Sequence, residues 1–449
     1  MEKYQKNREK ILKRLIILLA GPLFLLLTLD KVSFSIIFAI LLLAFAYLFL
    51  RKKLWLVLLC VIPGLVFGKM IFISITSGWV YEARLSELLL LLAFVVFVLD
   101  IILNDKFISL KIDKLGLILG VYSLIALASI LVAVDFRLFV FGLKAVVYAF
   151  LAYFLAYNLF DKQRKVYWFL YSITATSFVL SVQVFWKFYR MGFSSDFFFN
   201  RGSIEIPIGP IATSAAILGL LAPVLLAFYF ELPNANPAKP LVFAGFFAAF
   251  LAVFLTLGKG AILSLLIGLI YIFHRHKNKR LAFVLFFVWF LALAYFGFNS
   301  YFTGLLKRMQ TVFVDVNTDF RISEYRIGWD LIRNHPWFGV GIGQQIHYYQ
   351  EVLDQEQGNY VNNFILQMII DFGVVGFGVL LAMIVALVKK AKTVTMSLGR
   401  DSSLAAGFTA MLLLAFSNGL VEVTFYALPY AIIFWLIVGM FARQGKEMI

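Results

Sequence analysis

A few polar side chains interrupt this apolar chain at places where they could act together. The stretch NHPWFGVGIGQ, residues 334–344, sets His335 directly before Pro336 and three glycines. Proline ends a helix and glycine permits tight turns, so the stretch predicts a loop. A histidine there can accept a proton near neutral pH. The alternative interpretation is a loop that only terminates a helix.

Two adjacent asparagines open the next apolar stretch, NYVNNFILQMIIDFGVVGF, residues 359–377. The paired amides of Asn362 and Asn363 can bind a hydroxyl-rich ligand. Asparagine is also a strong helix N-cap residue, so a capping role explains the pair equally well. Asp371 lies further along the same apolar stretch, where an ionisable group is costly unless it has a partner.

Several cations stand apart from the main clusters of basic residues. They are Arg201 in NRGSIEIPIGPIA, Lys259 in TLGKGA, and Arg321, Arg326 and Arg333 in the loop before His335. Guanidinium and ammonium groups beside a membrane suit a lipid-linked diphosphate, because they neutralise the charge of a departing pyrophosphate. Each of them alone is also explained as a headgroup contact or a solvated charge.

Candidates for a general base are few. The chain has four histidines. Two of them lie in the basic segment HRHKNKR, which leaves His335 and His347, and the carboxylates Glu422 and Glu205 complete the set. No zinc, P-loop, dinucleotide or serine-triad motif is visible, and the single cysteine, Cys60, lies in an apolar run. The sequence therefore predicts no metal site and no cofactor.

These residues must be positioned by membrane helices. The chain is 63% hydrophobic and its mean hydropathy is +0.93, well above the values of water-soluble domains. Only helices or closed barrels satisfy the backbone in lipid, and the apolar runs lack the alternation of barrel strands. The predicted fold class is therefore an all-α polytopic membrane protein.

The apolar runs predict about fourteen transmembrane helices. Most of the 40 Lys and Arg residues then fall in alternate connections and in the two terminal tails. The positive-inside rule places both termini in the cytoplasm, and this distribution explains the net charge of +16 without nucleic acid. The predicted runs are 11–30, 33–50, 54–76, 85–103, 114–134, 138–159, 166–186, 209–230, 240–257, 260–274, 281–298, 361–388, 403–420 and 427–443.

The longest connection, residues 299–360, is predicted to be periplasmic. It contains the amphipathic segment DFRISEYRIGWDLIRNH, with Ile322, Tyr325, Trp329 and Ile332 at helical spacing. This spacing predicts a helix in the membrane interface. No internal repeat is visible, so residues 1–449 are expected to form a single integral membrane domain with 299–360 as its one large periplasmic loop.

Taken in order, the motifs resemble the O-antigen ligase and polymerase superfamily, which also contains bacterial protein O-oligosaccharyltransferases. The resemblance covers roughly residues 197–443, and the order of the pieces is more specific than any one of them. The pieces are Arg201, TLGKGA at 256–261, Arg326 and Trp329 followed by HPWFGVG at 335–341, NNFILQMIIDFGVVG at 362–376, and FWLIVGM at 434–440.

This resemblance implies an enzyme of the bacterial inner membrane that moves a glycan from an undecaprenyl-diphosphate carrier to an acceptor hydroxyl on the periplasmic face. Neither a metal nor a nucleotide sugar is implied. Lipid A core is the favoured acceptor, as in the ligases. A second carrier-bound repeat, as in the polymerases, and a protein, as in the oligosaccharyltransferases, are the alternatives.

The resemblance also assigns roles to residues. Arg201, Lys259, Arg326 and Asn363 would bind substrate, and position 362 would be catalytic. Two residues depart from the family pattern, because a family arginine is Lys259 here and a family histidine is Asn362. Lysine keeps the charge without the bidentate fork, but an amide cannot take a proton at neutral pH.

Another group would then have to accept the proton of the acceptor hydroxyl. His335 is the first candidate and Glu422 the second. Two other functions stay open. A polysaccharide or lipid transporter would explain many helices without a catalytic base, although the polar residues gather on the outer face rather than at mid-membrane. The second of these functions is that of a family member that binds carrier lipid without transferring glycan.

Overall fold

The computed structural model describes residues 53–76, 79–104, 110–191, 204–276, 316–353, 360–399 and 401–444. The predicted runs 11–30, 33–50 and 281–298, and Arg201, lie outside these residues. Each of the other predicted runs overlaps a helix, and the run 54–76 does so only in its first half. The helices are α1 (Leu54–Val66), α2 (Leu85–Leu103), α3 (Lys114–Ala128), α4 (Phe136–Leu159), α5 (Gln163–Arg190), α6 (Ile211–Glu231), α7 (Lys239–Leu255), α8 (Lys259–Arg275), α9 (Val316–Asn334), α10 (Gln345–Leu353), α11 (Phe364–Leu398), α12 (Ser403–Gly419) and α13 (Leu428–Gln444).

The protein is an all-α membrane-type chain, as the sequence predicts. Within the described residues, 6 helices are long and apolar enough to cross a membrane, and further apolar helices are shorter. Short 3-10 turns at Ser129–Val132 and Thr424–Tyr426 follow α3 and precede α13. The total of about fourteen spans stays a prediction.

The predicted run 54–76 is wrong in its second half. The helix α1 ends at Val66, and strand β1 (Lys69–Thr76) pairs antiparallel with β2 (Trp79–Arg84). Gly68, at φ 75°, stops the helix because this left-handed conformation cannot continue it. The sequence that follows, KMIFISIT, is rich in isoleucine and favours a strand. A second short hairpin joins β3 (Glu205–Ile206) to β4 (Gly209–Pro210).

The Gly-Lys-Gly turn separates two helices, as predicted. Helix α7 ends at Leu255 and α8 begins at Lys259. Leu257 has φ 53°, a conformation that a residue with a branched side chain rarely adopts. The turn is therefore a true break in the helix, and it leaves Lys259 in the first turn of α8.

Close contacts between helices hold the core together. Among the 6 long apolar helices, α6 is the most buried, with 89% of its apolar window inside the protein. Small residues let its neighbours approach, because an added Cβ at Gly407 of α12 would lie 2.3 Å from Cβ of Ala227. On α13, an added Cβ at Gly439 would lie 2.5 Å from the carbonyl oxygen of Tyr153 in α4. Such small-residue contacts drive helix packing in membranes.

Candidate active site

The loop predicted at residues 334–344 is present, and all three of its glycines require their conformational freedom. Gly339, Gly341 and Gly343 have φ angles of 67°, 93° and 77°. Any other residue is strained in this left-handed region. The loop also touches the start of α4 through Gln344, which is buried and whose Oε1 accepts from the backbone N–H of Asp135 at 2.7 Å.

This loop packs into a break in α11. The break lies at Gly373, with φ 61° and ψ −149°, so the predicted helix 361–388 is not continuous and it extends to Leu398. The backbone N–H groups of Val340 and Gly341 donate to the carbonyl oxygens of Ile370 and Asp371, at 2.9 and 3.0 Å. The loop thus satisfies carbonyl groups that the break exposes, and it fixes the end of α9 against α11.

Asp371 has the partners that its position in an apolar helix requires. The carboxylate accepts from Nε2 of Gln367 at 2.9 Å and from the hydroxyl of Tyr426. The Asp371 side chain is fully buried. Burial without partners would be costly for this group, so the two donors explain how it is tolerated at the break.

Asn363 caps α11, which confirms the capping interpretation for this residue. Oδ1 accepts from the backbone N–H of Leu366 at 3.0 Å. Nδ2 donates to the carbonyl oxygen of Leu420, at the end of α12, at 3.2 Å. Both ends of the Asn363 amide therefore hold protein groups, and a role in substrate binding stays a prediction.

Unlike Asn363, Asn362 hydrogen-bonds to a carboxylate that was not among the candidates from the sequence. Nδ2 of Asn362 lies 3.0 Å from Oε2 and 3.2 Å from Oε1 of Glu324. Glu324 belongs to α9 and is 0% exposed. Burial raises the pKa of the Glu324 carboxyl, and the hydrogen bonds from Asn362 oppose that rise.

The sequence did not reveal Glu324, because α9 buries the face opposite to the predicted apolar stripe. Ile322 and Trp329, two residues of the predicted apolar stripe, are 53% and 52% exposed. Glu324, Gly328 and Leu331 occupy the opposite face, and all three are buried. The signal available in the sequence is the helical spacing of Glu324, Gly328 and Leu331, which places one carboxylate on a face of small and apolar residues.

Glu422 lies next to the N-terminal half of α9. Its carboxylate is 3.7 Å from Nη2 of Arg321, and the two side chains are 27% and 39% exposed. The start of α8 packs against Glu422, since an added Cβ at Gly260 would lie 3.6 Å from Cγ of Glu422. The neighbouring Lys259 is thereby placed at the same end of the helices. We call Arg321, Glu324, Asn362, Glu422 and Lys259 the mouth cluster.

Two of the predicted site residues, Asn362 and Glu422, thus lie around Glu324 and Arg321, and the turn that carries Lys259 lies beside Glu422. Arg326 does not join them: it is exposed and lies on the opposite side of α9 from Glu324. His335 is also exposed, beyond the end of α9. At the rise of a helix it stands about 16 Å along the axis from Glu324. The catalytic role of His335 and the substrate-binding role of Arg326 remain predictions.

Arg84 holds the segment that follows Arg201. Its Nη1 donates to the carbonyl oxygen of Ile208, in the β3–β4 turn, at 2.8 Å. The backbone N–H of Arg84 donates to Oε1 of Glu87, whose other oxygen lies 2.5 Å from Nζ of Lys144. This buried network ties β3–β4 to α2 and α4.

Glu205 itself is exposed. Of the two carboxylate candidates from the sequence, Glu205 and Glu422, it is therefore the more solvated.

An apolar cavity lies beside the start of α11. Phe364, which follows Asn363, lines its wall. Further walls come from α11, α12 and α13, with Leu380, Phe416, Phe434 and Trp435 among the lining residues. The described site therefore joins charged groups at the helix ends to an apolar space between the helices.

Comparison with known families supports one of the functions left open by the sequence. Residues 244–381 match the family model described as O-antigen ligase. The chain carries an O-antigen ligase domain. The match runs from α7 into α11, so this domain includes Lys259, Glu324, His335 and Asn362, while Arg201 and Glu422 lie outside it. No curated protein matches the chain.

The O-antigen ligase domain supports the superfamily to which the motifs pointed, and with it a glycosyltransferase-like enzyme. Together with the apolar helices, it makes the chain an integral membrane protein. Members of this family act on a lipid-linked glycan and an acceptor. Within the domain, the broken helix α11 and the loop docked on it occupy the last part of the match.

Proposed function

We propose that this protein transfers a glycan from an undecaprenyl-diphosphate carrier to an acceptor hydroxyl on the periplasmic face of the bacterial inner membrane, with lipid A core as the favoured acceptor. The observation that carries the proposal is the mouth cluster. In it, cations and carboxylates meet where the starts of α8 and α11 and the segment after α12 lie against α9, beside an apolar cavity and within and beside an O-antigen ligase domain.

The cavity suits the lipid part of the donor. A polyprenyl chain is apolar along its whole length, and apolar surface favours an apolar environment. Phe364 and Leu380 line a cavity that begins where Asn363 caps α11. A carrier whose first isoprene unit packs against this apolar lining would hold its diphosphate near Arg321.

Arg321 is the cation best placed for that diphosphate. Its ion pair with Glu422 is long, at 3.7 Å, and both side chains are partly exposed. Such pairs contribute about 0–1 kcal/mol, so a diphosphate can replace Glu422 at little cost. The guanidinium can then pair bidentately with phosphate oxygens. Lys259 would add a second positive charge, and Arg201 and Arg326 remain proposed contributors.

The cations would act mainly on the leaving group. When the bond between the sugar C1 and the diphosphate oxygen breaks, the electron pair stays with the diphosphate. Positive groups that already point at this position stabilise the developing charge without reorganisation. The proposed transfer needs no nucleotide, because the carrier diphosphate is itself the activated leaving group.

A deletion strain tests the proposed function. Loss of the lipopolysaccharide ladder with accumulation of carrier-linked polymer supports a ligase, whereas lipid A core capped with one repeat indicates a polymerase. Unchanged lipopolysaccharide with loss of glycan from proteins indicates an oligosaccharyltransferase. Complementation with the wild-type chain and with Lys259→Ala provides the control, since the variant is expected to restore the phenotype only in part.

A further inference from the structure

The geometry around position 362 points to a proton acceptor other than the residues named from the sequence. Asn362 cannot accept a proton itself, but its amide donates to both oxygens of the Glu324 carboxylate, at 3.0 and 3.2 Å. The basic group behind position 362 is therefore a carboxylate from α9. We propose that Glu324 accepts the proton of the acceptor hydroxyl, and that Asn362 covers Glu324 until the acceptor arrives.

This inference rests on the proposed function and completes its chemistry. The acceptor hydroxyl takes the place of the Asn362 amide and donates its hydrogen bond to Glu324. Its oxygen forms the bond to the sugar C1, and the bond from C1 to the diphosphate oxygen breaks. The proton moves to Glu324, and the electron pair leaves with the diphosphate beside Arg321 and Lys259. Glu324 later releases the proton to water.

The Asn362 side chain can turn away from Glu324, because few hydrogen bonds hold it in place. The Asn362 side chain is half-buried, and Glu324 is its one polar partner among the residues that the structure describes. Asn363, by contrast, is fixed at both ends of its amide by Leu366 and Leu420. Turning the Asn362 amide outward breaks only the pair with Glu324, and water can satisfy the released donor. Burial of Glu324 in the resting protein is thus compatible with contact during the reaction.

The surroundings of Glu324 favour a carboxylate that is a better base than an exposed one. Burial raises the pKa of Glu324, while Asn362 and Arg321 lower it and Glu422 raises it. The charged and titratable groups around it are Arg321 and Tyr325 from α9, Tyr349 from α10, and Glu422 from the segment after α12. A base works best when its pKa approaches the operating pH, so this rise favours proton acceptance.

Glu324 also fits the geometry better than the earlier candidates. His335 stands about 16 Å along α9 from Glu324, at the exposed end. Glu422 is 27% exposed, whereas Glu324 is buried and bonded to Asn362. Tyr349 steadies the helix at the required point, because its hydroxyl donates to the backbone carbonyl of Glu324.

The test compares Glu324→Gln with Asp330→Asn in the full-length protein in proteoliposomes, with a synthetic undecaprenyl-diphosphate oligosaccharide as donor. Glutamine keeps the shape and can still accept from Asn362, but it cannot take a proton. We expect transfer to fall about 10²–10⁴-fold with donor binding unchanged. Asp330 lies exposed on the same helix, and its variant should stay within about 2-fold of wild type, as is usual for a surface change.

A pH profile separates a base from a packing role. Wild-type transfer should decline as pH falls through the Glu324 pKa, and Glu324→Asp should keep that limb at a lower rate. The proposal is overturned if Glu324→Gln retains near-wild-type transfer. It is also overturned if Glu324→Asp loses as much transfer activity as Glu324→Gln and both variants have a lowered Tm. A wild-type protein that transfers nothing to any acceptor would instead refute the proposed function, and this inference with it.

Discussion

The guanidinium of Arg321 lies 3.7 Å from the carboxylate of Glu422, and this contact joins α9 to the segment after α12. The motifs assigned substrate binding to Arg326 rather than to Arg321. The contact favours Arg321 instead, because it places Arg321 beside the turn that carries Lys259, while Arg326 lies on the other side of α9.

Arg321→Ala is therefore expected to reduce glycan transfer more than Arg326→Ala. A charge-assisted hydrogen bond contributes about 1.5–3 kcal/mol, which corresponds to about 10-fold to 160-fold in rate or affinity. The measurement is the rate of transfer at several donor concentrations. Arg333→Ala is the matched control, since Arg333 lies over the ring of Trp329 at the far end of α9. An equal or larger loss for Arg326→Ala would restore the assignment made from the motifs.

Gly339→Ala should destabilise the protein. An added Cβ would lie 2.4 Å from the carbonyl oxygen of Ile370, and the residue has φ 67°. The loop could then no longer dock on the break of α11. We expect a loss of about 1–3 kcal/mol, as for other strained positions, seen as a lower Tm in detergent. Gly378→Ala in α11 is the control, because nothing lies within 4 Å of its added Cβ and its Tm should hold or rise.

Glu324 should make stability depend on pH in a definite direction. Its pKa is raised in the folded state, so folding is favoured while the carboxyl is protonated. This contribution is full below the unfolded pKa of about 4.3 and is lost as pH rises through the folded pKa. The Tm of Glu324→Gln relative to wild type is therefore expected to increase as pH rises above about 4. A difference that is constant, or that narrows with rising pH, would contradict a raised pKa.

The sequence predicted elements well where one local signal dominates. The Gly-Lys-Gly turn separates α7 from α8, and the capping residue Asn363 begins α11 within three residues of the expected start. The glycine loop has the left-handed angles that three glycines allow. In each case the physical cause lies within a few neighbouring residues, so the sequence contains it.

Contacts between distant segments could not be predicted in this way. The pairing of Glu324 with Asn362 joins residues from two helices, and hydrophobic spacing alone did not tell which face of α9 is buried. Likewise, the hairpin of β1 and β2 has enough apolar residues to resemble the end of a membrane helix. Hydropathy measures solubility in lipid, and it does not distinguish a strand from a helix at such a point.

The orientation in the membrane is open to direct test. Both termini are predicted to be cytoplasmic and residues 299–360 periplasmic. In a Cys60→Ser background, Gln355→Cys should react with a membrane-impermeant maleimide in intact spheroplasts, because this residue lies in the predicted outer loop. Lys277→Cys, in a predicted inner connection, should react only after lysis. Protection of position 355 would invert the topology, and the mouth cluster would then face the cytoplasm.

The most direct measurement of the central claim is glycan transfer by the purified chain. Proteoliposomes would receive an undecaprenyl-diphosphate oligosaccharide and, separately, lipid A core, a second carrier-linked repeat or an acceptor protein, with product and released diphosphate followed by mass spectrometry. The account predicts a glycosylated acceptor and one free undecaprenyl diphosphate for each transfer, both strongly reduced by Arg321→Ala. An intact donor with every acceptor, together with movement of that donor across the bilayer, would contradict it and identify a transporter.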